Sequence, residues 1–194
     1  PAARIDQALL SEVNNLVEWP AVIDCSFDAT FLEVPHEALV ASMQDHQKLF
    51  PVFAELGTTR VSNRFLAVVN LQSSDEGLVR EGFERVIRPR LADARFFLEQ
   101  DQKHSLEWYI PRLDEVVFQQ KIGSVGDKSR RIAALSKNIA EKLGIDSGFC
   151  VRAAQLAKCD LLTLMVGEFP ELQGTMGRHY ALYAGEPPDV ADAI

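Results

Sequence analysis

The sequence predicts an α+β protein that is mostly α-helical, with a small α/β unit followed by an all-helical domain. Runs of β type occur only within the first 74 residues, and after the polar loop 72–77 the apolar residues recur with helical spacing. The 194 residues are 47% hydrophobic and 25% charged, which is typical of one large globular domain or two small ones. We therefore predict an α/β unit at 1–74, a connecting helix at 75–103 and a helical domain at 104–194.

The elements of the α/β unit follow from short local patterns. Apolar residues at spacings of four, four and three predict a helix at 3–18, which Pro20 ends. A second helix is expected from Pro35 through about Gln47, because proline is favoured in a first helical turn. Short apolar runs predict strands at 22–27, 31–34, 49–53 and 65–71.

The rest of the chain shows helical periodicity. It predicts helices at 78–102, 105–116, 124–143, 149–166 and 176–183. Pro89 is expected to kink or split the first of these, and Gly144 to end the third as a left-handed cap. The third helix has one apolar stripe, formed by Ile132, Leu135, Ile139 and Leu143. The segment 149–166 is apolar almost all round, which favours a central helix with Asp160 buried.

Targeting signals and cysteine chemistry are not evident. No run approaches the roughly 18 apolar residues of a membrane helix, and the first residues lack a secretory signal, so we expect a cytoplasmic protein. The three cysteines have no CxxC spacing and are predicted to be small buried apolar residues. The chain begins without Met and ends at 189–194 in a pattern typical of a helix start, so we expect an internal segment of a longer protein.

The charge pattern leaves nucleic-acid binding open. A formal net charge of −8 provides no overall attraction for a polyanion, so any contact depends on local clusters. The densest cluster is Arg80, Arg85, Arg88, Arg90 and Arg95. A second cluster is Lys128, Arg130, Arg131 and Lys137. Each cluster is compatible with a phosphate-binding surface or with a solvated face paired to neighbouring carboxylates.

No residue pattern indicates catalysis or metal binding. The four histidines form no HExxH, HxxxH or His-Asp pair, and no phosphate-cradling or nucleophile-elbow motif occurs. Glu168 and Glu171 are three residues apart but have no His or Asp partner nearby, so capping and backbone hydrogen bonding are favoured for them. We assign no catalytic and no metal-ligating residue.

Five stretches together resemble the β subunit of the two-subunit bacterial glycyl-tRNA synthetase. They are MQDHQKLFPVF at 43–53, RPRLADARFF at 88–97, VFQQKIG at 117–123, KCDLLT at 158–163 and MVGEFPELQGTMGRHYA at 165–181. Their order and spacing cover nearly the whole chain.

The resemblance implies a role in tRNA charging. In this family the α subunit is expected to hold the site for glycine, ATP and adenylate, while the β subunit binds tRNA(Gly) in an α2β2 complex. No cofactor is expected in this segment. We predict that the tRNA-binding residues are Arg85, Arg88, Arg90 and Arg95, helped by His46, Gln47 and Lys48.

The resemblance also implies domain relationships. Residues 1–74 are similar to the end of a module in the phenylalanyl-tRNA synthetase β chain, and residues from about 104 resemble a helical domain of the HD phosphohydrolase type. HD hydrolases hold a metal through histidines and aspartates, but the corresponding positions here are Lys128 and the segment Lys158, Cys159 and Asp160. Protonated lysine is no ligand, so we predict an HD-like fold without its hydrolase site. The alternatives are an HD-class phosphohydrolase with an unusual ligand set and a scaffold that joins the α and β subunits without touching RNA.

Overall fold

The computed structural model describes residues 2–3, 5–55 and 57–194, and the chain divides into two compact units, Pro1–Phe96 and Phe97–Ile194. Helices predominate, with one four-stranded and one two-stranded sheet, which confirms the prediction of a mostly helical α+β protein. The division falls within a long helix that begins in the first unit and ends in the second.

The first unit is built on an antiparallel sheet. Its elements are β1 (Ala2–Ala3), α1 (Gln7–Leu16), β2 (Ala21–Ser26), α2 (His36–Gln47), β3 (Phe50–Phe53), β4 (Val61–Val69) and α3 (Glu76–Asp101). The strands lie in the order β1-β3-β4-β2. Leu9 and Val13 of α1 form a buried cluster with Phe50 of β3, against which Leu66 and Val68 of β4 pack. Helix α1 therefore covers one face of the sheet.

Two predicted elements of this unit differ from the structure. The segment 31–34, predicted as a strand, lies in and just after a 3-10 helix at Ala29–Glu33. The Asp28 side chain accepts a hydrogen bond from the Thr30 N–H at 2.9 Å and so caps that turn, a local effect that outweighs the apolar β-type pattern. Helix α1 is shorter than predicted, because Asp6 caps it through the Leu9 N–H at 2.9 Å.

Helix α3 lies against the outer edge of β2 through polar contacts. Arg80 Nε donates to the Asp24 carbonyl oxygen at 2.8 Å, and Glu84 Oε1 accepts from the Ser26 N–H at 2.8 Å and from the Ser26 hydroxyl at 2.9 Å. These side chains satisfy edge groups that β4 leaves unpaired. Pro89 lies inside α3 and does not split it into two helices.

The second unit is a set of short helices with one small hairpin. Its elements are α4 (Leu106–Tyr109), β5 (Val117–Gln119), β6 (Gly123–Ser124), α5 (Val125–Leu143), α6 (Gly148–Leu156), α7 (Leu164–Glu168), α8 (Thr175–Tyr183) and α9 (Pro188–Asp192). The expectation that no strand follows the loop 72–77 is therefore wrong for β5 and β6. Helix α5 and its left-handed Gly144 cap, at φ 69°, are confirmed.

The predicted central helix at 149–166 is interrupted. It consists of α6, a 3-10 helix at Cys159–Leu162 and α7, because Thr163 is extended and starts a new helix by accepting the Val166 N–H at 3.3 Å. Likewise, the predicted helix at 105–116 is α4 followed by a 3-10 helix at Ile110–Glu115. The predicted burial of Asp160 is confirmed.

A buried carboxylate holds α7 within the second unit. Asp101 accepts the Leu164 N–H at 2.8 Å, the Met165 N–H at 3.0 Å and the Tyr180 hydroxyl at 2.7 Å. Together with Thr163, it satisfies the first three amides of α7, which have no partner inside that helix. Asp101 thus connects the end of α3 to α7 and α8.

Candidate nucleic-acid interface

The predicted arginines of α3 lie on two sides of the helix. At about 100° per residue, Arg85, Arg88 and Arg95 fall within an arc of about 80°, whereas Arg90 is at least about 140° away from each of them. Arg85, Arg88 and Arg90 are exposed and Arg95 is partly buried. The structure therefore groups three of the four arginines on one face and separates Arg90 from them.

Arg88 and Arg95 belong to the surroundings of the Asp28 turn. The Thr30 N–H and then the Thr30 side chain hold the pKa of Asp28 below its usual value, and the positive charges of Arg88 and Arg95 act in the same direction. The Arg95 guanidinium lies 5.8 Å from the centre of the Phe31 ring, within cation–π range. An open cavity of about 300 Å³ next to this turn is lined by Ser26, Phe27, Asp28, Glu84 and Arg88.

Arg85 and Arg90 differ from these two in their surroundings. Among the residues that the structure describes, no salt bridge joins either guanidinium to a carboxylate. The same holds for Arg88, so Arg85 and Arg90 differ from Arg88 in that they do not contribute to the lowered pKa of Asp28.

The remaining predicted tRNA-binding residues lie at the end of α2. His46 is exposed, while Gln47 and Lys48 are partly buried. Lys48 adopts the left-handed conformation, φ 55°, as the C-cap of α2, and its Nζ lies 3.0 Å from Glu12 Oε1 on α1. Lys48 thus has a structural role that the sequence pattern did not show.

The second basic cluster is largely engaged in contacts within its own unit. Arg130 lies 2.8 Å from both Asp114 and Asp127, and Lys128 Nζ lies 4.2 Å from the centre of the Phe118 ring. Lys137 Nζ lies 3.9 Å from Glu141 Oε1 one turn along α5. These contacts favour the solvated, paired face that was the alternative for this cluster.

The segment expected to correspond to an HD metal site is used for packing. Asp160 Oδ2 accepts the Gly174 N–H at 2.5 Å and the Gly177 N–H at 3.2 Å, so this carboxylate holds the start of α8. Burial raises the pKa of Asp160 and raises the pKa of Cys159 to about 12. In residues 2–3, 5–55 and 57–194, no three His, Cys, Asp or Glu side chains come together as a possible metal site.

One ionic cluster was not anticipated from the sequence. Arg152 of α6 donates from Nη2 to Glu186 Oε1 at 2.5 Å and to Glu107 Oε2 at 3.2 Å, which joins α6, α4 and the turn after α8. The hydrogen bond to Glu186, followed by that to Glu107, raises the pKa of Arg152. The partners are 34 and 45 residues away in sequence, so no local spacing could have revealed them.

Comparison with known proteins identifies the class of protein to which this fold belongs. Residues 2–194 match the sequence model described as glycyl-tRNA synthetase beta subunit. The chain belongs to this family, whose proteins are components of an aminoacyl-tRNA ligase.

Individual relatives agree with the family assignment. The chain is 49% identical over 193 residues to the glycine–tRNA ligase beta subunit of Neisseria meningitidis serogroup A, covering 100% of this chain and 28% of that protein. It is 50% identical over 192 residues to the corresponding subunits of Ectopseudomonas mendocina and Pseudomonas fluorescens strain Pf0-1, covering 99% of this chain and 28% of each relative. The chain therefore spans just over a quarter of the length of these relatives. Across the part of the chain that the structure describes, no helix is both long and apolar enough to cross a membrane.

Proposed function

We propose that this segment forms part of the tRNA-handling surface of the β subunit of glycine–tRNA ligase. In this proposal the enzyme joins glycine to tRNA(Gly) with ATP, the active site lies in the α subunit, and the two subunits form an α2β2 complex. The segment alone carries no catalytic group and needs no cofactor of its own. Its support is the membership of the chain in the β-subunit family.

The observation that favours RNA contact at α3 is the exposure of its arginines. The chain has a net charge of −8, so a phosphate backbone must be met by a local concentration of cations. Arg85 and Arg88 are exposed on one face of a long helix, and Arg90 is exposed on another. Arg88 also lies beside the acidic Asp28 turn, so we expect it to contribute less to RNA binding than Arg85.

Charge reversal in the full α and β complex tests the proposal. Arg85→Glu and Arg88→Glu should raise the KM for tRNA, and each lost phosphate contact should reduce the slope of log affinity against log salt by about 1. Arg60→Glu is the matched control, because Arg60 is an exposed arginine of the same unit outside α3. Glycine-dependent pyrophosphate exchange should be unchanged in all three variants, because glycine activation does not require tRNA contact at α3.

Two results would contradict the proposal. If Arg85→Glu and Arg88→Glu change the KM for tRNA no more than Arg60→Glu at low salt, the α3 arginines are not part of the tRNA surface. Pyrophosphate exchange by a β subunit without its α partner would refute the placement of the active site. The cytoplasmic location expected from the sequence stays a prediction.

A further inference from the structure

Helix α5 has an apolar face that the second unit does not bury. The predicted stripe Ile132, Leu135, Ile139 and Leu143 is present, but all four side chains are exposed, Leu135 to 60% and Leu143 to 68%. The buried residues of α5 are instead Val125, Gly126, Ser129, Ala133 and Ala140. The apolar stripe therefore does not coincide with the buried side of α5.

The small side chains of α5 explain this arrangement. Helix α5 packs along α6, and the buried Ala140 lines the same groove as the buried Ala153 and Ala154 of α6. Alanines on both helices permit a close approach of the two backbones. The large residues of the stripe lie about 60–140° around α5 from Ala140, so the contact with α6 leaves them exposed.

The exposed stripe continues into a groove between the two helices. This groove has a volume of about 350 Å³. Its walls are Ile132, Ser136, Ile139, Ala140, Ile145, Cys150, Ala153, Ala154, Ala157 and Ala193. We call the groove together with Leu135 and Leu143 the α5 groove. Single exposed apolar residues are common on proteins, but a continuous apolar patch beside a concave surface indicates a binding surface.

The chemistry of the α5 groove defines what it can bind. None of the described residues that line it is charged, so this lining lacks the cations that a phosphate backbone requires. It offers aliphatic side chains and a concave shape, which fit an apolar element of a protein. The surface is therefore distinct in kind from the arginine face of α3 proposed for tRNA.

We propose that the α5 groove is the docking surface for another part of the same β subunit, outside these 194 residues. The relatives extend well beyond this segment, which covers only 28% of their length. A partner in the same chain has a high effective concentration, so even a modest apolar contact is occupied continuously. The inference does not depend on whether α3 binds tRNA.

Thiol labelling of the full-length β subunit tests this proposal. Leu135→Cys and Leu143→Cys place a reactive group on the α5 groove. Ser74→Cys is the control, because Ser74 is exposed in the polar loop 72–77 and offers no apolar surface for docking. Maleimide labelling at each position is measured by peptide mass spectrometry in the folded subunit and normalised to the denatured rate. In the β subunit alone, we expect labelling at 135 and 143 to be slower than at 74 by about tenfold or more, because the docked segment must open first.

Each alternative occupant gives a different result. Fast labelling at 135 and 143 without the α subunit, and slow labelling with it, would assign the groove to the α subunit. Protection that disappears when the β subunit is diluted would assign it to a second copy, and fast labelling under all conditions would show an open surface. Any of these three results overturns the proposal.

A measurement on the unmodified β subunit does not depend on the correct folding of a cysteine variant. The native Cys150 lines the groove, so its labelling rate in the unmodified β subunit can be followed with and without the α subunit and on dilution. The proposal requires Cys150 to be protected in the β subunit alone, to the same degree after dilution and after addition of the α subunit. Loss of protection in the diluted β subunit would contradict it.

Discussion

Removal of the Asp101 carboxylate should release helix α7 from the second unit. Asp101 is 3% exposed and accepts three hydrogen bonds, from the amides of Leu164 and Met165 and from the Tyr180 hydroxyl. In Asp101→Ala, all three donors lose their acceptor inside the protein. Each buried donor left unsatisfied costs about 1–3 kcal/mol, and local relaxation reduces the sum, so we expect a loss of about 3–5 kcal/mol in the free energy of local opening.

Two further variants provide reference values for the loss of stability in Asp101→Ala. Tyr180→Phe removes only the hydroxyl, whose hydrogen bond to Asp101 is 2.7 Å long, so we expect a loss of about 1–2 kcal/mol. Asp93→Ala removes an exposed aspartate from the same helix and should change stability by less than about 0.5 kcal/mol. Because Asp101 and Tyr180 interact directly, the double variant should lose less than the sum of the two single variants.

Hydrogen exchange in the full-length β subunit provides a local measurement. A loss of 3 kcal/mol or more corresponds to exchange that is faster by on the order of a hundredfold or more at the Leu164 and Met165 amides. Equal exchange at these two amides in Asp101→Ala and Asp93→Ala would refute the assignment of Asp101 as the cap of α7. A global change with no local change at 164–165 would also contradict it.

Two further predictions concern α5 and α8. The pKa of Asp127 is lowered to about 2, chiefly by the hydrogen bond from Arg130. Ionised Asp127 therefore stabilises the folded state at pH values above 3.8, its ordinary pKa, and this contribution is lost as the pH falls towards 2. The difference in thermal midpoint between the unmodified protein and Asp127→Asn should therefore shrink over this range, and a constant difference would contradict the assignment. In Gly177→Ala, the new Cβ would lie 3.1 Å from Asp160 Oδ2 and 3.2 Å from Asp160 Cγ, as well as 2.7 Å from Ile194 Cγ2. The Asp160 carboxylate is held by the Gly174 and Gly177 amides and cannot move away freely, so denaturation should show a loss of about 1–3 kcal/mol. Gly167→Ala, whose Cβ has none of the described atoms within 4 Å, should be neutral or stabilising. Equal stability of these two glycine variants would rule out the close packing at Gly177.

Local chemistry explains which parts of the fold the sequence could predict. The left-handed Gly144 cap and the helix that begins near Pro35 depend on the backbone preferences of single residues, and the structure confirms both. The prediction of a strand at 31–34 was wrong because Asp28 caps a 3-10 helix there, and an apolar run in the sequence does not indicate such a cap. Within the helical part, the break at Thr163 was missed because a hydroxyl cap can restart a helix inside an apolar segment.

Long-range polar contacts limited how much of the candidate site could be predicted from the sequence. The sequence showed the arginine cluster of α3, but not that Glu84 pairs with the edge of β2 or that Arg88 lies beside Asp28. Such contacts join residues about sixty positions apart, and they decide which cations remain available to an external phosphate. Charge clustering therefore predicted a basic region, whereas the distinction between Arg85 and Arg88 required the fold.

The exposed stripe of α5 shows how a segment differs from a complete protein. Helical periodicity indicates that Ile132, Leu135, Ile139 and Leu143 lie on one face, but it does not indicate what covers that face. Burial of an apolar stripe is favourable, because aliphatic surface removed from water contributes about 25 cal/mol per Å². In α5 the large apolar residues lie about 60–140° around the helix from the buried Ala140, and four of the five buried residues are Gly, Ser or Ala. The separation is expected if α5 contacts two partners at once, α6 through its alanines and a second element of the longer β subunit through its large aliphatic residues.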